Sequence, residues 1–555
     1  VLPRPLALLA LALAALTHAP RPLQAQRVLA PTLDATTLRR GVLRTTVELD
    51  NVLLRGRWAD GEAQALGAGL STPLDASNNV TMRGIGDVFS LLGRPDVTTS
   101  LGTTRTDLRQ RLAVTRLGFE YGLTDRIGLR VQAPFVRARA EASMTLDGSG
   151  ASAGLNPTLQ GTDVAAANRA VVDAYAAAVA ALTQRRDDCA GNPAAHPECA
   201  TITAELASVN AAIARGSQFA TALSTIYGAQ GLDAGLRYVP MANSAAEAAL
   251  RGVGNALRIE MERWGVTDVD TTTGFPLGAQ APITADELAS LVTAPVAAGL
   301  GAQPLRRSTR QDLGDVDLTL RVNLFDAFPT DSARAAANRF GLRSTLALTY
   351  RVGLGNFDLP DNLIDLGTGS GHDALAVHAI TDVIVNARFW TTASLGWARA
   401  AEHERIVRVP LLAGVDLIGA DREVPVRITP ADLLELRLAP RWSLNDYLGL
   451  GGEWRYRTRG RDRVVAVEDP AVLLPPGATL PYGDGAIQTP SDSDEHRWAW
   501  TLSYSTLGSQ ARGNARLPFE LFYSHEQSVG SSRGIVPRRW EDRIQFRFYT
   551  RLFGR

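Results

Sequence analysis

The chain contains no lysine. All 57 of its basic residues are arginine and they face 57 acids, so the formal charge is zero. No basic field is left over for a polyanion, which excludes nucleic acid as a partner on charge grounds. The arginine bias accompanies heavy alanine use and is read as compositional rather than functional. Cysteine occurs only twice, which excludes a disulfide-dense scaffold or a cysteine-built zinc module. Beyond residue 26 there is no uncharged apolar run of eighteen residues, which excludes a bundle of membrane helices.

What is present begins with an address. Arg4 precedes an apolar run from Leu6 to Leu16, followed by Leu23-Gln24-Ala25-Gln26. The run is too short to cross a bilayer, and the pattern predicts a secretory signal peptide over residues 1–25. The remainder divides into first barrel strands with a long loop at 26–138, a helical insert at 139–312 and further barrel strands at 313–555.

The barrel expectation comes from alternation. From Asp315 to Leu324, Val316, Leu318, Leu320, Val322 and Leu324 fall on one side, with Asp315, Asp317, Thr319, Arg321 and Asn323 on the other. Similar segments recur at 41–49, 111–122, 127–138, 313–324, 340–354, 373–385, 389–399, 432–442, 447–458, 496–505, 517–526 and 540–552. Each is about ten residues, the length of a tilted strand crossing hydrocarbon. Connections at 50–110, 139–312, 355–372, 400–430, 459–494 and 527–539 are long and those between them short. An even strand number with long loops at one end and short turns at the other is the signature of a bacterial outer-membrane barrel. The predicted fold class is therefore all-β, a transmembrane antiparallel barrel of about twelve strands with an α-helical hairpin inserted in a long loop.

Two short turns nearly repeat. Gly122-Leu123-Thr124-Asp125-Arg126-Ile127-Gly128-Leu129 matches Ser443-Leu444-Asn445-Asp446-Tyr447-Leu448-Gly449-Leu450 in its turn residues and in the following glycine. Threonine and asparagine bond their own backbone in tight turns, which gives the match a mechanism. Trp397, Trp442, Trp454, Tyr456, Trp498, Trp500, Tyr504, Phe519 and Tyr523 fall near strand ends on the apolar face, where amphipathic rings suit the headgroup level of the surrounding membrane lipid.

Between Gly150 and Arg310 the period changes to helical. Val164, Val171, Tyr175, Val179 and Leu182 share one face, and Ile202, Leu206, Val209 and Ile213 share another. A hairpin of helices at 163–186 and 200–225 is predicted, turning through Gly191, Asn192, Pro193 and Pro197. In an exported chain Cys189 and Cys199 are close enough to staple its tip as a disulfide. Cys189, His196 and Cys199 match no standard zinc spacing, so no metal is assigned. Strand parity leaves the insert either outside the cell or folded back into the pore.

With the apolar alternates facing lipid, arginines 116, 130, 321, 343, 351, 437, 441, 455, 457, 497, 543, 547 and 551 point inward against Glu120, Asp315, Asp317, Asp382, Glu435, Glu453 and Glu520. As pore-lining candidates we single out Arg116, Arg130, Arg321, Arg343, Arg351, Arg437, Arg441, Arg455, Arg497, Arg547, Glu120, Asp315, Asp317, Asp382, Glu435 and Glu453. Two readings stand: a basic path that attracts anions, or charges that pair and fill the interior. No catalytic constellation appears. His378 falls inward near Asp382 without a nucleophile, and Gly367-Thr368-Gly369-Ser370-Gly371 has no helix behind it to bind phosphate, which makes it a flexible turn. No cofactor is expected.

The last strand, Arg543 to Arg555 with Phe553 near its end, resembles the C-terminal strand by which outer-membrane proteins are handed to the barrel assembly machinery. Leu117-Gly118-Phe119-Glu120-Tyr121-Gly122-Leu123-Thr124-Asp125-Arg126, Gly314-Asp315-Val316-Asp317, Arg343 to Leu354 and Gly371-His372-Asp373-Ala374-Leu375 together resemble the outer-membrane transporter family of the meta-pathway of phenol degradation. The resemblance covers barrel strands and none of the insert; Gly353-Leu354-Gly355-Asn356 stands where that family has proline-threonine-glycine. It implies passage of small hydrophobic or aromatic solutes. The resulting expectation is a channel or facilitator for small hydrophobic, aromatic or anionic organic compounds. The competing one is a surface-interaction protein whose barrel anchors the helical insert.

Overall fold

The computed structural model describes residues 34–552 apart from 78, 229–234, 268–274, 297, 329–339, 410–415, 468–490 and 508–516. The expected signal peptide and Phe553 lie outside the described residues. Twelve long strands form the wall: β1 Val42–Ala59, β2 Ser100–Gly122, β3 Ile127–Asp147, β4 Val316–Asp326, β5 Gly341–Val352, β6 Ala374–Ile384, β7 Phe389–Ala400, β8 Leu433–Ser443, β9 Leu448–Arg459, β10 Ser493–Ser505, β11 Phe519–Gly530 and β12 Ile535–Arg551. Each pairs antiparallel with its chain neighbours, and β12 pairs with β1 from Val42↔Arg551 to Ala59↔Ile535, so the sheet closes with no free edge. Closure satisfies every ladder within the wall, the condition for strands to cross lipid.

Alternation sets the faces. Leu129, Val131, Leu318, Leu320, Leu346, Leu348, Leu436, Leu438 and Leu502 point out and are exposed, while Arg44, Thr46, Glu48 and Asp50 of β1 point in and are buried. Trp442, Trp498, Trp500 and Tyr504 are exposed on the outer face. Three of the short turns share one device. Thr124 Oγ1 accepts from the backbone N–H of Ile127 at 2.9 Å, Asn445 Oδ1 from that of Leu448 at 2.8 Å, and Asn386 Oδ1 from that of Phe389 at 2.8 Å. The third copy, between β6 and β7, extends the two-turn match read from sequence.

Strands β1, β2 and β3 run 18, 23 and 21 residues, far beyond the predicted ends, whereas β4 to β11 span 11 to 13. In their upper parts the apolar side changes. On β2, Leu117 and Phe119 face out below while Arg116 and Glu120 face in; above, Leu101 and Leu108 are buried inward while Arg105, Asp107, Arg109 and Arg111 face out. On β3 the same switch separates outward Val131 and Phe135 from outward Arg137 and Arg139, with Ala138 and Ala140 buried inside. Lipid lies outside the lower part and water outside the upper part, so the switch marks the membrane boundary. A further correction concerns 527–539: β11 and β12 extend to Gly530 and from Ile535, leaving residues 531–534 as the connection, because the upper part of β12 pairs with the lengthened β1.

The insert packs on the inner face of this raised wall. Its helices are α2 Thr162–Gly191, α3 Cys199–Ala204, α4 Leu206–Tyr227, α5 Ala245–Glu262 and α6 Ala285–Thr293, joined by α1 Val80–Leu91 from the preceding loop. Helix α2 is long and apolar enough to cross a membrane by length and composition, yet its buried face packs on α4. Tyr175 meets Phe219 edge-on at 5.0 Å between ring centroids. Gly216 permits the close crossing, since a Cβ there would lie 2.7 Å from Val179 and 2.8 Å from Met261. Cys189 and Cys199 form the predicted disulfide. Helices α5 and α6 were not expected, although Ser244 and Thr284, each with glutamate three residues on, are capping signals; Thr284 and Glu287 complete a capping box. One continuous apolar core joins these helices to Leu101, Leu108 and Ala140 of the wall and to Ile364 and Leu417 of two other outer loops. The insert therefore caps the long-loop end of the barrel.

Candidate functional site: the barrel interior

The interior is a layered ion-pair network. Beside β1, β2 and β12, Arg116 contacts Glu48 at 2.5 Å and also Asp50, and Arg543 contacts Asp50 at 2.9 Å, Glu48 at 3.5 Å and Glu541. Arg539 pairs with Glu541, and Gln545 donates to Glu48 at 2.5 Å. Across the barrel, Glu435 sits between Arg437 and Arg457, and Glu453 is 2.7 Å from Arg455. Glu526 bridges Arg455 at 3.3 Å and Arg497 at 3.1 Å, and Arg497 also holds Glu495 at 2.5 Å. Such buried groups persist because each charge has a partner; removing one leaves the other desolvated and unpaired.

Toward the short turns, Arg44 pairs with Glu120, which lies 3.7 Å from Arg321. Arg343 reaches Asp326 at 2.9 Å, and Tyr549 donates to Glu520 at 2.5 Å with Arg547 3.8 Å away. Arg441 is buried on the same face. Arg130 stands opposite Glu120 in the ladder and donates to Gln132 at 2.8 Å.

Segment 34–40, ahead of β1, enters the lumen at this level. Asp34, Ala35, Thr36 and Thr37 are buried. Arg321 donates to the Asp34 carbonyl, Thr345 Oγ1 to the Ala35 carbonyl at 2.6 Å, and the Ala35 amide to Asp382 at 3.3 Å; Thr392 also donates to Asp382, at 2.6 Å. The segment thus spans from the β2–β3 turn, where the Arg40 amide donates to Asp125 at 3.0 Å, to the wall formed by β5 and β6.

Not every candidate joins the network. Arg351 and Asp317 pair at 2.8 Å at the more exposed long-loop end. Asp315 accepts from the amides of Gly355 at 2.9 Å, Ser370 at 2.6 Å and Gly371 at 3.2 Å, and from Ser370 Oγ at 2.7 Å. It anchors a loop. Burial raises its pKa and those donors outweigh the burial, so it ionises below the usual carboxylate range. The glycine-rich stretch 367–371, read as a flexible turn, is pinned by this carboxylate. Arg551 lies exposed at the end of β12, and His378 stacks over Gly396 rather than on Asp382.

The expected arginine excess shrinks to near balance. The interior adds Arg44 and Arg539 but also Asp34, Glu48, Asp50, Glu495, Glu526 and Glu541. Glu48, Glu526 and Glu541 share the parity of neighbouring inward arginines and were findable by alternation. Asp50 and Glu495 lie just beyond the predicted strand ends. Among the described residues no cluster of three metal-ligating side chains occurs, and His196 is paired with Asp188 at 3.1 Å.

No family model matches the chain, and no curated protein matches it. Solved structures with a similar outline include the COG4313 outer membrane channel from Pseudomonas putida F1, at 10% identity and a TM-score of 0.40 over 94% of this chain and 100% of that one. The CymD monoaromatic hydrocarbon channel follows at 6% identity and 0.26 over 92% and 89%. The translocator domain of the autotransporter NalP from Neisseria meningitidis gives 6% identity and 0.29 over 91% and 88%. These likenesses are loose, and the barrel stands on its own strand register.

Proposed function

We propose that the chain is a bacterial outer-membrane channel or facilitator for small organic solutes, with its interior candidates lining the path and its lumen closed at rest. The carrying observation is segment 34–40. It crosses the lumen at its short-turn end without being part of the wall, held by a few bonds to Arg321, Thr345 and Asp382. An anchor needs no such stopper, and a wall whose ladders close without it keeps its shape when it leaves. The near-balanced, paired interior supports uncharged hydrophobic or aromatic solutes over anions, in keeping with the resemblance to the phenol meta-pathway transporters. The alternating last strand is the feature the assembly machinery would receive. Against the anchor reading, the insert shares its core with the wall and is not displayed on a stalk.

Liposome swelling tests the proposal. Removing residues 26–40, in the chain with and without the insert, should raise the entry rate of small uncharged aromatics several-fold over the matching undeleted form; a barrel sealed in every form would overturn it.

A further inference from the structure

The switch of the apolar side on β1, β2 and β3 places a group of arginines at the outer edge of the lipid. Arg137 lies ten residues beyond Ile127 and Arg111 ten beyond Tyr121 in the opposite direction along the hairpin, about the rise that crosses hydrocarbon. Arg111 and Arg139 stand directly opposite each other, both facing out, with Arg109 and Arg137 as flanking neighbours. Directly opposed like charges destabilise a ladder unless something neutralises them. The local acids fall short: Glu141 is taken by Arg139 and Asp107 by Arg109 at 3.1 Å, while Arg111 reaches only the amide of Asn51 at 2.7 Å. Neither the Arg137 nor the Arg55 side chain has an ion pair or a hydrogen bond to any described residue.

Just above, the wall parts. β1 pairs with β2 only as far as Leu54↔Gln110 and from Gly56 onward pairs with Glu62–Ala65 instead. The gap is a cleft of about 410 Å³ whose lining includes Arg55, Arg105, Ser71, Ser143 and Thr145. The opposite wall instead carries Trp454, Tyr456 and His496 in mutual ring contact, with Trp498 opposite Trp454 in the ladder.

We propose that this belt and cleft bind the phosphorylated sugar headgroup of an outer-leaflet lipid, a lipopolysaccharide. Arg111, Arg137 and Arg139 take phosphate, for which the guanidinium fork is suited. The hydroxyls of Ser71, Ser143 and Thr145 meet sugar hydroxyls, and the acyl chains lie on Phe119, Val131 and Phe135 below. The inference rests on the outer-membrane reading given above and adds a ligand to the barrel's outer face, separate from any solute path.

The test uses the full mature chain in detergent, titrated with purified lipopolysaccharide and with the same material after phosphatase treatment. The wild type should bind the phosphorylated form about ten-fold or more tightly than the treated form, and R111Q/R137Q/R139Q should lose that difference. R137Q alone, at a residue with no partner to lose, should keep the heat-shifted gel mobility of a folded barrel and lose several-fold. Arg399, exposed on β7 of another wall, is the control, and R399Q should leave binding unchanged. Equal binding by the triple variant, or equal binding of the dephosphorylated form, overturns the site, as does an equal loss in R399Q. Failure of the chain to enter any bilayer would instead remove the outer-membrane reading first.

Discussion

The lower and upper parts of β1, β2 and β3 are the same strands built on opposite rules. Below the boundary, Val131 and Phe119 are exposed to the outside and Arg116, Glu48 and Glu120 are enclosed; above it, Arg109 and Arg139 are outside and Leu108, Ala138 and Ala140 are enclosed. The backbone ladder runs unbroken through both, from Thr103↔Asp147 to Gly122↔Gly128. Strand geometry is thus indifferent to which side is apolar. The solvent on each side decides it, and the reversal along one strand reads out where lipid gives way to water.

Four changes would break or sharpen that contrast. The largest effect is expected inside the lower barrel. Arg455→Ala leaves Glu453 and Glu526 enclosed without one shared partner and should cost about 3–5 kcal/mol, read as a lower urea midpoint for loss of the compact gel band. Next is the outer face. Val131→Arg, near mid-membrane, should cost about 2–4 kcal/mol in bilayers, whereas exchange of Arg139 for valine above the boundary should stay within about 1 kcal/mol. If the two costs were equal, the boundary would be misplaced.

In the cap, C189S/C199S opens a loop with a sequence separation of 10 residues. It should cost about 2–3 kcal/mol of insert stability, seen as earlier proteolysis within α2 to α4 while the barrel stays resistant. The smallest effect is a pH response in the outer loops. His372 and His403 stack at 4.3 Å, with Phe357 beside them. Burial, with His372 and Arg405 nearby, pushes the His403 pKa below its ordinary 6.5. The fold therefore favours the neutral ring, and its contribution is complete above pH about 6.5 and lost as pH falls through the lowered value. Amide exchange around 401–405 should quicken between pH 7.5 and 5, and H403F should abolish the change.

How much was legible follows from the same contrast. The twelve strands were visible because their lower parts alternate, most of them with leucine, valine or aromatics on one side and charge or hydroxyl on the other. The upper extensions were missed because their alternation runs in the opposite phase, and Arg105 to Arg111 reads as a polar loop when the phase of Leu117 and Phe119 is carried upward. The hairpin α2 to α4 announced itself through Val171, Tyr175 and Leu182 at helical spacing. Helices α1, α5 and α6 are shorter and amphipathic only against a core that other loops complete, although their caps were there to be read. In the lumen, alternation found which residues face inward but not how they pair, because Glu526 and Arg497 meet across neighbouring strands whose register no local pattern fixes. Segment 34–40 carries no periodicity at all; its place is set by Asp382 and Thr345, more than three hundred residues away.

The most direct test is a spin-label scan of β4 in bilayers, one introduced cysteine at a time from 316 to 324, since both native cysteines are locked in the disulfide. Oxygen accessibility should rise and fall with period two, high at 318, 320 and 324 and low at 319, 321 and 323. A flat profile, or one with its maxima at Thr319 and Arg321, would contradict a wall with lipid on one side and paired charge on the other.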